Sequence, residues 1–496
     1  MPELAQIRPP SGAGVVDRLL ASMLAELTER APLVDLYEDY YEGRHQLAFL
    51  SGPYRRAFAQ MLAAVSDNWI PLVISAPTER LHVQGIRAGD VLQAEPAWEI
   101  WRRCGLEEDA DLVFTEAAKH GEAYLLAERD PLDPRRSRLT TEHPRQFIVR
   151  RYPGDRRRLF AALKAWWDPE LQEQHVTLWT ETSVHRRRRG KDDPWFVPRT
   201  DLADDTNALK AVPVGVIVNQ PSMMPAHPPT ALLAPPHRAP DVAIGLGRSD
   251  MADAISTVDQ INVLLCDMMV AAEFSAFRQR WATGLQVPTD PQTGAPIEPF
   301  KSAVDRLWIS ENPDSRFGQF DATDLQNYIR GIQDRVQSLA SRTRIPPHIL
   351  MAGMGSFPSG ESLRAAETGL VAKVLGKQRA AAPGILSGLR YACQLEGADL
   401  PVTAEVDWAN PESRVESEFV DSLVKKLSLG VPPQQLWEDY GYSPEQIERF
   451  TTLLREARDS GLLAYVSPQN GLPAPATETP STPANDQSDQ RDLTDG

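Results

Sequence analysis

The first part of the chain carries apolar side chains at the spacing of amphipathic helices. Between Val16 and Leu27 they recur at every third or fourth position, which predicts a first helix. Trp98 and Trp101 fall on one face of a later helical segment. An apolar run at 70–76 is bounded by prolines. All of these segments are predicted to contribute to a buried core.

Farther along, the pattern changes to short β-branched and aromatic runs separated by Pro, Gly, Asp and Arg clusters. The runs cover residues 122–128, 147–151, 161–167, 176–182 and 212–218. This spacing predicts a mostly antiparallel sheet. Seven prolines between residues 220 and 240 then exclude a helix or a central strand, so a crossing loop is predicted there.

Two long helices, separated by a small excursion, are predicted next. They cover 249–280 and 324–342, and each has an apolar stripe. Residues 283–322 break into turns around one predicted strand at 306–310. Exposing an aliphatic side chain costs about 1.5–3 kcal/mol relative to burial, so these stripes predict neighbouring chains, which a closed ring would supply.

The last third of the chain is predicted to be mainly helical. A helix at 362–382 meets Pro383, where it should kink or stop, and a short strand follows at 402–408. Three more helices are predicted at 411–430, 432–440 and 443–461, the last opened by a capping box at Ser443. The final residues have few apolar anchors and are predicted to be disordered.

Length and composition are those of a folded chain with more than one core. With 496 residues, of which 42% are hydrophobic and 24% charged, roughly two to four packed units are expected. Helical and strand-like patterns occupy separate regions of the sequence. The predicted fold class is therefore α+β.

Charge is unevenly distributed. The formal net charge is −16, which disfavours a protein that grips nucleic acid through phosphate neutralisation. Arginine runs nevertheless concentrate between Arg135 and Arg189. They could form a phosphate-binding patch, or lie at solvated strand ends and hairpin loops. The second interpretation is favoured because no aromatic stacking residues are interleaved with them.

Secretion and membrane insertion are not predicted. The N-terminus lacks a basic run followed by an apolar segment, and the three cysteines show no metal or disulfide spacing. The most apolar helix, at 255–274, contains Asp259, Asp267 and Glu273. These carboxylates would be costly in hydrocarbon, so the helix is expected to fall far short of a membrane span and to need a protein partner.

No enzyme motif is complete. Residues 355–362 have the spacing of a phosphate-binding loop, but Glu361 replaces the required lysine and Pro358 removes a backbone donor. His120 and Glu122 lack the cysteine pair of a zinc deaminase, and no HExxH spacing occurs. We predict no catalytic residue, no cofactor and no metal site.

Several short motifs occur in a characteristic order. They are Asn68-Trp69-Ile70-Pro71, Glu79-Arg80-Leu81-His82, Ala97-Trp98-Glu99-Ile100-Trp101, Gly121-Glu122-Ala123-Tyr124, Arg344-Ile345-Pro346-Pro347-His348-Ile349-Leu350, Pro358-Ser359-Gly360-Glu361-Ser362-Leu363, Glu367, Lys377-Gln378, Glu405-Val406-Asp407-Trp408 and Pro411. In this order the chain resembles the portal proteins of tailed double-stranded DNA bacteriophages, particularly the long form of actinobacterial phages. The resemblance covers roughly residues 15–465.

The resemblance implies a set of regions. Expected are a flexible N-terminus (1–14), a wing (15–245, with 393–411 returning to it), a first stem helix (246–280), a clip (281–323), a second stem helix (324–342), a tunnel loop (343–358), a long kinked helix (359–392), a crown (412–465) and a disordered tail (466–496).

The resemblance also implies a role for particular residues. Met351, Met354, Ser356, Phe357, Glu361 and Glu367 are expected at the tunnel loop and DNA channel, with the two glutamates facing the bore. Subunit contacts in the stem are expected at Ile255, Ile261, Leu265, Leu325, Ile329, Ile332 and Val336. Partner contacts of the clip are expected at Arg306, Trp308, Phe317 and Phe320.

The implied function is that of a ring, usually of about twelve subunits, at one capsid vertex of the virion. Double-stranded DNA would pass through it without sequence specificity during packaging and ejection. Implied partners are the terminase large subunit, a head-tail connector or adaptor, and the major capsid and scaffolding proteins, with assembly in the host cytoplasm. Another capsid or tail connector is the alternative, and a packaging enzyme is disfavoured because it needs an intact phosphate loop.

Overall fold

The computed structural model describes residues 9–45, 67–89, 94–153, 155–202, 204–221, 247–276, 280–284, 314–319, 324–351, 360–412 and 416–460. Helices and antiparallel strands occupy separate parts of the chain, which confirms the predicted mixed fold. Two compact units are present, Met1–Glu416 and Ser417–Gly496, and each is described by itself.

The first unit begins with helices that pack around a shared core. They are α1 (Val15–Tyr41), α2 (Ile70–Thr78), α3 (Glu95–Arg103) and α4 (Leu106–His120), and strand β1 (Val83–Ala88) follows α2. Trp98 and Trp101 are buried with their rings stacked, 6.3 Å between centroids. The predicted core segments are thereby confirmed.

Two antiparallel sheets follow the helices. The strands are β2 (Glu122–Arg129), β3 (Ser137–Glu142), β4 (Phe147–Tyr152), β5 (Asp155–Asp168), β6 (Glu173–Thr180), β7 (Ser183–Gly190), β8 (Val197–Pro198), β9 (Asp205–Thr206) and β10 (Val214–Val218). The larger sheet has the order β4-β5-β6-β7-β8 with β9 beside β7, and the smaller has the order β10-β2-β3. The predicted antiparallel sheet is confirmed.

Several residues of the arginine runs pair with carboxylates within the chain. Arg187 pairs with Asp204, and Arg188 pairs with Glu173 across the β6–β7 pair. Further pairs join Arg150 to Glu26, Arg151 to Glu122 and Arg158 to Glu181. Arg186–Arg189 form the last part of β7, which agrees with the predicted strand ends and not with the predicted loops.

A pair of long helices then packs side by side. After the short strands β11 (Gln220–Pro221) and β12 (Gly247–Arg248) and a 3₁₀ turn at Asp250–Asp253, the chain forms α5 (Ile255–Ala276), β13 (Arg280–Thr283), β14 (Arg316–Gln319), α6 (Gln326–Thr343) and α7 (Pro347–Leu350). Both predicted long helices are confirmed. The strand predicted at 306–310 lies outside the described residues.

Helix α5 is more apolar than expected. Its segment Ile255–Glu273 is long and apolar enough to cross a membrane, judged by length and composition alone. The prediction that its carboxylates leave it far short of this was wrong. Its Ile255, Val258 and Ile261 side chains are buried in the chain's own core, and its Asp259 accepts a hydrogen bond from the Tyr40 hydroxyl (3.0 Å). Much of the apolarity therefore serves packing within the subunit.

Helix α8 (Gly360–Glu396) is the longest element and lies across the smaller sheet. A kink or a stop was predicted at Pro383, and because the helix continues through this residue, only the stop is wrong. Close packing with β10 takes place at glycines. A methyl group on Gly384 would collide with the Val216 carbonyl, and one on Gly215 would collide with the Gly384 carbonyl. Only the missing side chains allow helix and strand to approach so closely.

Two further contacts complete the first unit. Strand β15 (Ala404–Trp408) pairs antiparallel with β1, which confirms the strand predicted at 402–408. A buried ion cluster joins α8 to the start of α5. Asp250 lies 2.6 Å from the Lys377 ammonium and 3.3 Å from that of Lys373, and Lys377 also donates to the Asn219 side-chain oxygen.

The second unit is helical, as predicted. It contains α9 (Glu416–Ser428), α10 (Pro433–Tyr440) and α11 (Pro444–Asp459). The capping box at the start of α11 is confirmed, since Ser443 and Gln446 exchange backbone-to-side-chain hydrogen bonds. Trp437 and Phe450 meet edge to face, which holds α10 against α11.

We expect Gly384→Ala to destabilise the first unit by about 1–3 kcal/mol, because the new methyl group forces α8 away from β10. Gly376→Ala is the matched control on the same helix, where a methyl group meets nothing within 4 Å. The control should be neutral or gain up to about 1 kcal/mol from helix propensity. Denaturant unfolding measures both, and equal effects would contradict the close-packing argument.

We expect Lys377→Met to cost about 3–5 kcal/mol, because it leaves the buried Asp250 carboxylate poorly compensated. Arg248→Met nearby removes an exposed pair with Asp253 and should cost no more than about 1 kcal/mol. Free energies of unfolding at neutral pH test this difference. Loss of similar size in the two variants would show that the buried cluster does not hold α8 in place.

Candidate functional site

Motif residues from distant parts of the sequence converge on Arg80. Its guanidinium donates to the Pro411 carbonyl oxygen (3.1 Å) and pairs with the Glu367 carboxylate (3.4 Å). The His348 Nε2 atom lies 3.7 Å from the same carboxylate. We call Arg80, His348, Glu367 and Pro411 the motif hub. It joins the loop after α2, the helix α7, the start of α8 and the chain after β15.

A second set of contacts lies farther along α8, at Lys377 and Gln378. The Gln378 side chain donates to the Ala409 carbonyl (3.2 Å), and its neighbour Lys377 enters the Asp250 cluster. Burial alone would raise the pKa of Asp250, but Lys377 and Lys373 lower it overall. Burial lowers the pKa of Lys377, and attraction from Asp250 opposes that effect. Asp250 is therefore ionised at neutral pH and locked between α5 and α8.

The segment that follows α6 is anchored where it leaves that helix. Helix α6 ends at Thr343, whose carbonyl accepts a hydrogen bond from the Lys373 ammonium (3.2 Å). Arg344 then takes a left-handed conformation (φ +59°), and Ile345 and Leu350 are buried. Residues 352–359 lie outside the described residues. The part of the predicted tunnel loop that is described is thus held rigidly against α8.

The predicted channel residues are placed differently from one another. Met351 is half-buried and packs on the core, while Met354, Ser356 and Phe357 lie outside the described residues. Of Glu361 only the backbone, in α8, is described. Glu367 does not present a free charge, because its side chain is 13% exposed and paired with Arg80.

The predicted stem contacts fall into two groups. Ile255, Ile261 and Val336 are buried within the subunit itself, where α5 and α6 meet the core, so this chain already covers them. The remaining positions are half-buried: Leu265, Leu325, Ile329 and Ile332. Leu265 and Ile332 also touch the core.

Of the predicted clip contacts, only Phe317 is described. It lies in β14, is 43% exposed and stands opposite Ala282 of β13. Trp281 packs over Gly318 in the same strand pair. Arg306, Trp308 and Phe320 lie outside the described residues.

Sequence reasoning missed the central role of Asp250 and the long-range pairing of Arg80. Asp250 could have been noticed as an acid directly before an apolar helix, with Lys373 and Lys377 one helical turn apart elsewhere. No local pattern connects these positions, since Arg80 and Glu367 are separated by 287 residues.

The sequence comparisons with known proteins agree with one another and cover most of the chain. The profile of the family described as "Phage portal protein, SPP1 Gp6-like" matches residues 20–441. The portal protein of Mycobacterium phage D29 is 27% identical over 443 residues, covering 85% of each chain. The portal protein of Mycobacterium phage L5 is 25% identical over 470 residues, covering 90% of each chain.

Among solved structures, a chain from the neck of an empty gene transfer agent particle aligns with a TM-score of 0.41 and 12% identity, covering 77% of this chain and 95% of that one. The sequence matches, together with the motif hub that joins the matched segments in space, lead to one conclusion: this chain belongs to the phage portal protein family, whose members are structural components of the virion.

Proposed function

We propose that this protein forms a closed ring of about twelve copies at one vertex of a phage capsid, and that DNA passes through its centre. The observation that carries the proposal is the α5–α6 helix pair. Its inner face is covered by the subunit, yet Leu325 at the N-cap of α6 and Ile329 within α6 remain half-buried. Full burial of an aliphatic side chain is worth about 1.5–3 kcal/mol relative to full exposure, and a neighbour that covers the exposed part of each side chain supplies a fraction of that.

The charge of the chain suits a conduit. Duplex DNA carries about one negative charge per 1.7 Å of axis, so a basic bore would hold each phosphate in turn and slow transport. The net charge here is −16, and several arginines of the sheet region, among them Arg150 and Arg187, are paired with carboxylates. We propose that Met354, Ser356, Phe357 and Glu361 border the DNA, with Met351 supporting them from the core.

The strand pair β13–β14 marks the proposed docking end. Phe317 and Trp281 are 43% and 39% exposed there, at the tip of the long helices. We propose that this clip end contacts the terminase large subunit during packaging and a head-tail connector afterwards. Major capsid and scaffolding proteins would surround the ring, and assembly would take place in the host cytoplasm.

The proposal predicts that purified full-length protein forms annular particles with an open centre. Ile329→Asp should shift the population to monomers or open fragments, because each subunit contact would then bury a charge. Leu132→Asp is the matched control, since Leu132 is 95% exposed in the β2–β3 turn. Electron microscopy and native mass spectrometry measure the assemblies, and circular dichroism checks folding.

Two results would overturn the proposal. One is wild-type protein that stays monomeric at every concentration and salt condition. The other is folded Ile329→Asp protein that assembles as the wild type does. The reconstruction of the ring also tests the channel lining: lysine and arginine side chains around the bore, with residues 351–361 on the outside, would refute it.

A further inference from the structure

Four side chains from three elements meet at the C-terminal end of α4. They are Glu38 of α1, Glu116 and His120 of α4, and His143 in the turn between β3 and β4. One donor atom from each lies within 4.8 Å of all the others. The side chain of His120 is only 1% exposed, so this member of the cluster is fully buried. The portal function uses none of these residues.

The distances are those of a metal-ligand set. The His120 Nε2 atom lies 2.8 Å from Glu38 Oε1 and 3.2 Å from Glu116 Oε2. Ligands of a tetrahedral zinc ion at about 2.0–2.1 Å from the metal stand about 3.3 Å apart. Small shifts of these side chains would therefore bring both carboxylate oxygens to corner positions relative to the His120 Nε2 atom.

The two carboxylates of the cluster carry negative charge. Burial alone would raise the pKa of Glu38 and Glu116, but hydrogen bonds from His120 and His143 lower both pKa values well below their usual range. Two carboxylates are thus ionised around one imidazole nitrogen. The buried Oε2 atom of Glu116 lies between the two rings, 3.2 Å from the His120 Nε2 atom and 3.0 Å from the His143 Nε2 atom.

His143 has a different role in the cluster from that of His120. The backbone N–H of Arg145 donates to its Nδ1 atom (2.9 Å), so a neutral His143 ring carries its proton on Nε2. That Nε2 atom lies 3.0 Å from Glu116 Oε2. A ring in this tautomer donates to a metal-bound carboxylate and does not itself coordinate. Outer contacts of this kind orient the metal ligands.

We propose that Glu38, Glu116 and His120 bind one divalent transition-metal ion of the zinc type, with His143 as a positioning residue. Imidazole and carboxylate donors together suit Zn²⁺, and the Glu116 and His120 pair has the i, i+4 spacing that places both on one helical face. The ion would tie the first helix, α1, to α4 and to the edge of the sheet. It would therefore act as a structural brace.

Lys119 sets the strength of this site. Its buried ammonium lies 2.7 Å from Glu38 Oε1, one of the proposed ligand atoms, and 2.9 Å from Glu116 Oε1. A divalent ion bound by the same two carboxylates would lie close to this ammonium. Repulsion from Lys119 weakens metal binding, and its removal should strengthen it.

The test is titration of Zn²⁺ into untagged full-length protein that has been freed of metal by a chelator. We expect one ion per chain by calorimetry and elemental analysis, with a rise in unfolding temperature. His120→Gln should abolish binding, His143→Gln should weaken it about tenfold, and Lys119→Met should tighten it. His185→Gln is the matched control, because His185 pairs with Asp204 (3.1 Å) on another strand and should bind zinc as the wild type does.

Co²⁺ provides a second readout that a merely structural histidine would not change. A tetrahedral Co²⁺ spectrum in the wild type that is lost in folded His120→Gln protein supports the site. Absence of any stoichiometric ion in the wild type would overturn the proposal and leave an ion-pair cluster only. Equal binding by wild type and His120→Gln would overturn it as well. Both outcomes are independent of ring formation.

Discussion

Burial of the Asp250 carboxylate between two lysines of α8 is the contact on which the arrangement of the first unit depends. An ionised group without water must be paired, so the start of α5 and the middle of α8 can occupy only one register relative to each other. Lys373 extends the same constraint to the end of α6 through the Thr343 carbonyl. The long helices and the end of α6 are therefore attached to the same ion cluster. The motif hub adds an ion pair between Arg80 and Glu367, nearer the start of α8.

Much of the fold follows from local patterns. Apolar spacing located α1, α5 and α6, and turn residues separated the strands of the sheets. The capping box at Ser443 was predictable because its two partners are three residues apart. One local rule failed where tertiary contacts prevailed, since Pro383 lies inside a helix that packing on β10 maintains. Arg186–Arg189 lie in a strand paired with β6, where Arg187 and Arg188 reach Asp204 and Glu173.

The candidate site was less accessible to sequence reasoning. The motif order indicated the family, but it could not show that Glu367 is paired with Arg80, because their separation in sequence leaves no periodic signal. The same holds for the Glu38, Glu116, His120 and His143 cluster, which draws on three elements. Only Glu116 and His120 are neighbours on a helix, and one such pair is too common to predict a site. For the apolar positions on α5 a clear pattern was present, but periodicity does not distinguish burial inside the subunit from burial against another copy.

The pairing of β1 with β15 has a consequence for how the protein is made. Arg87 and Asp407, which form an ion pair across these strands, are 320 residues apart. At a synthesis rate of about 5–20 residues per second, β1 waits roughly 16 to 64 seconds on the ribosome before its partner emerges. During that interval its edge is open to pairing with any nearby strand, including one from another nascent copy. Production of this protein in a foreign host is therefore sensitive to translation speed and to chaperone supply during that period.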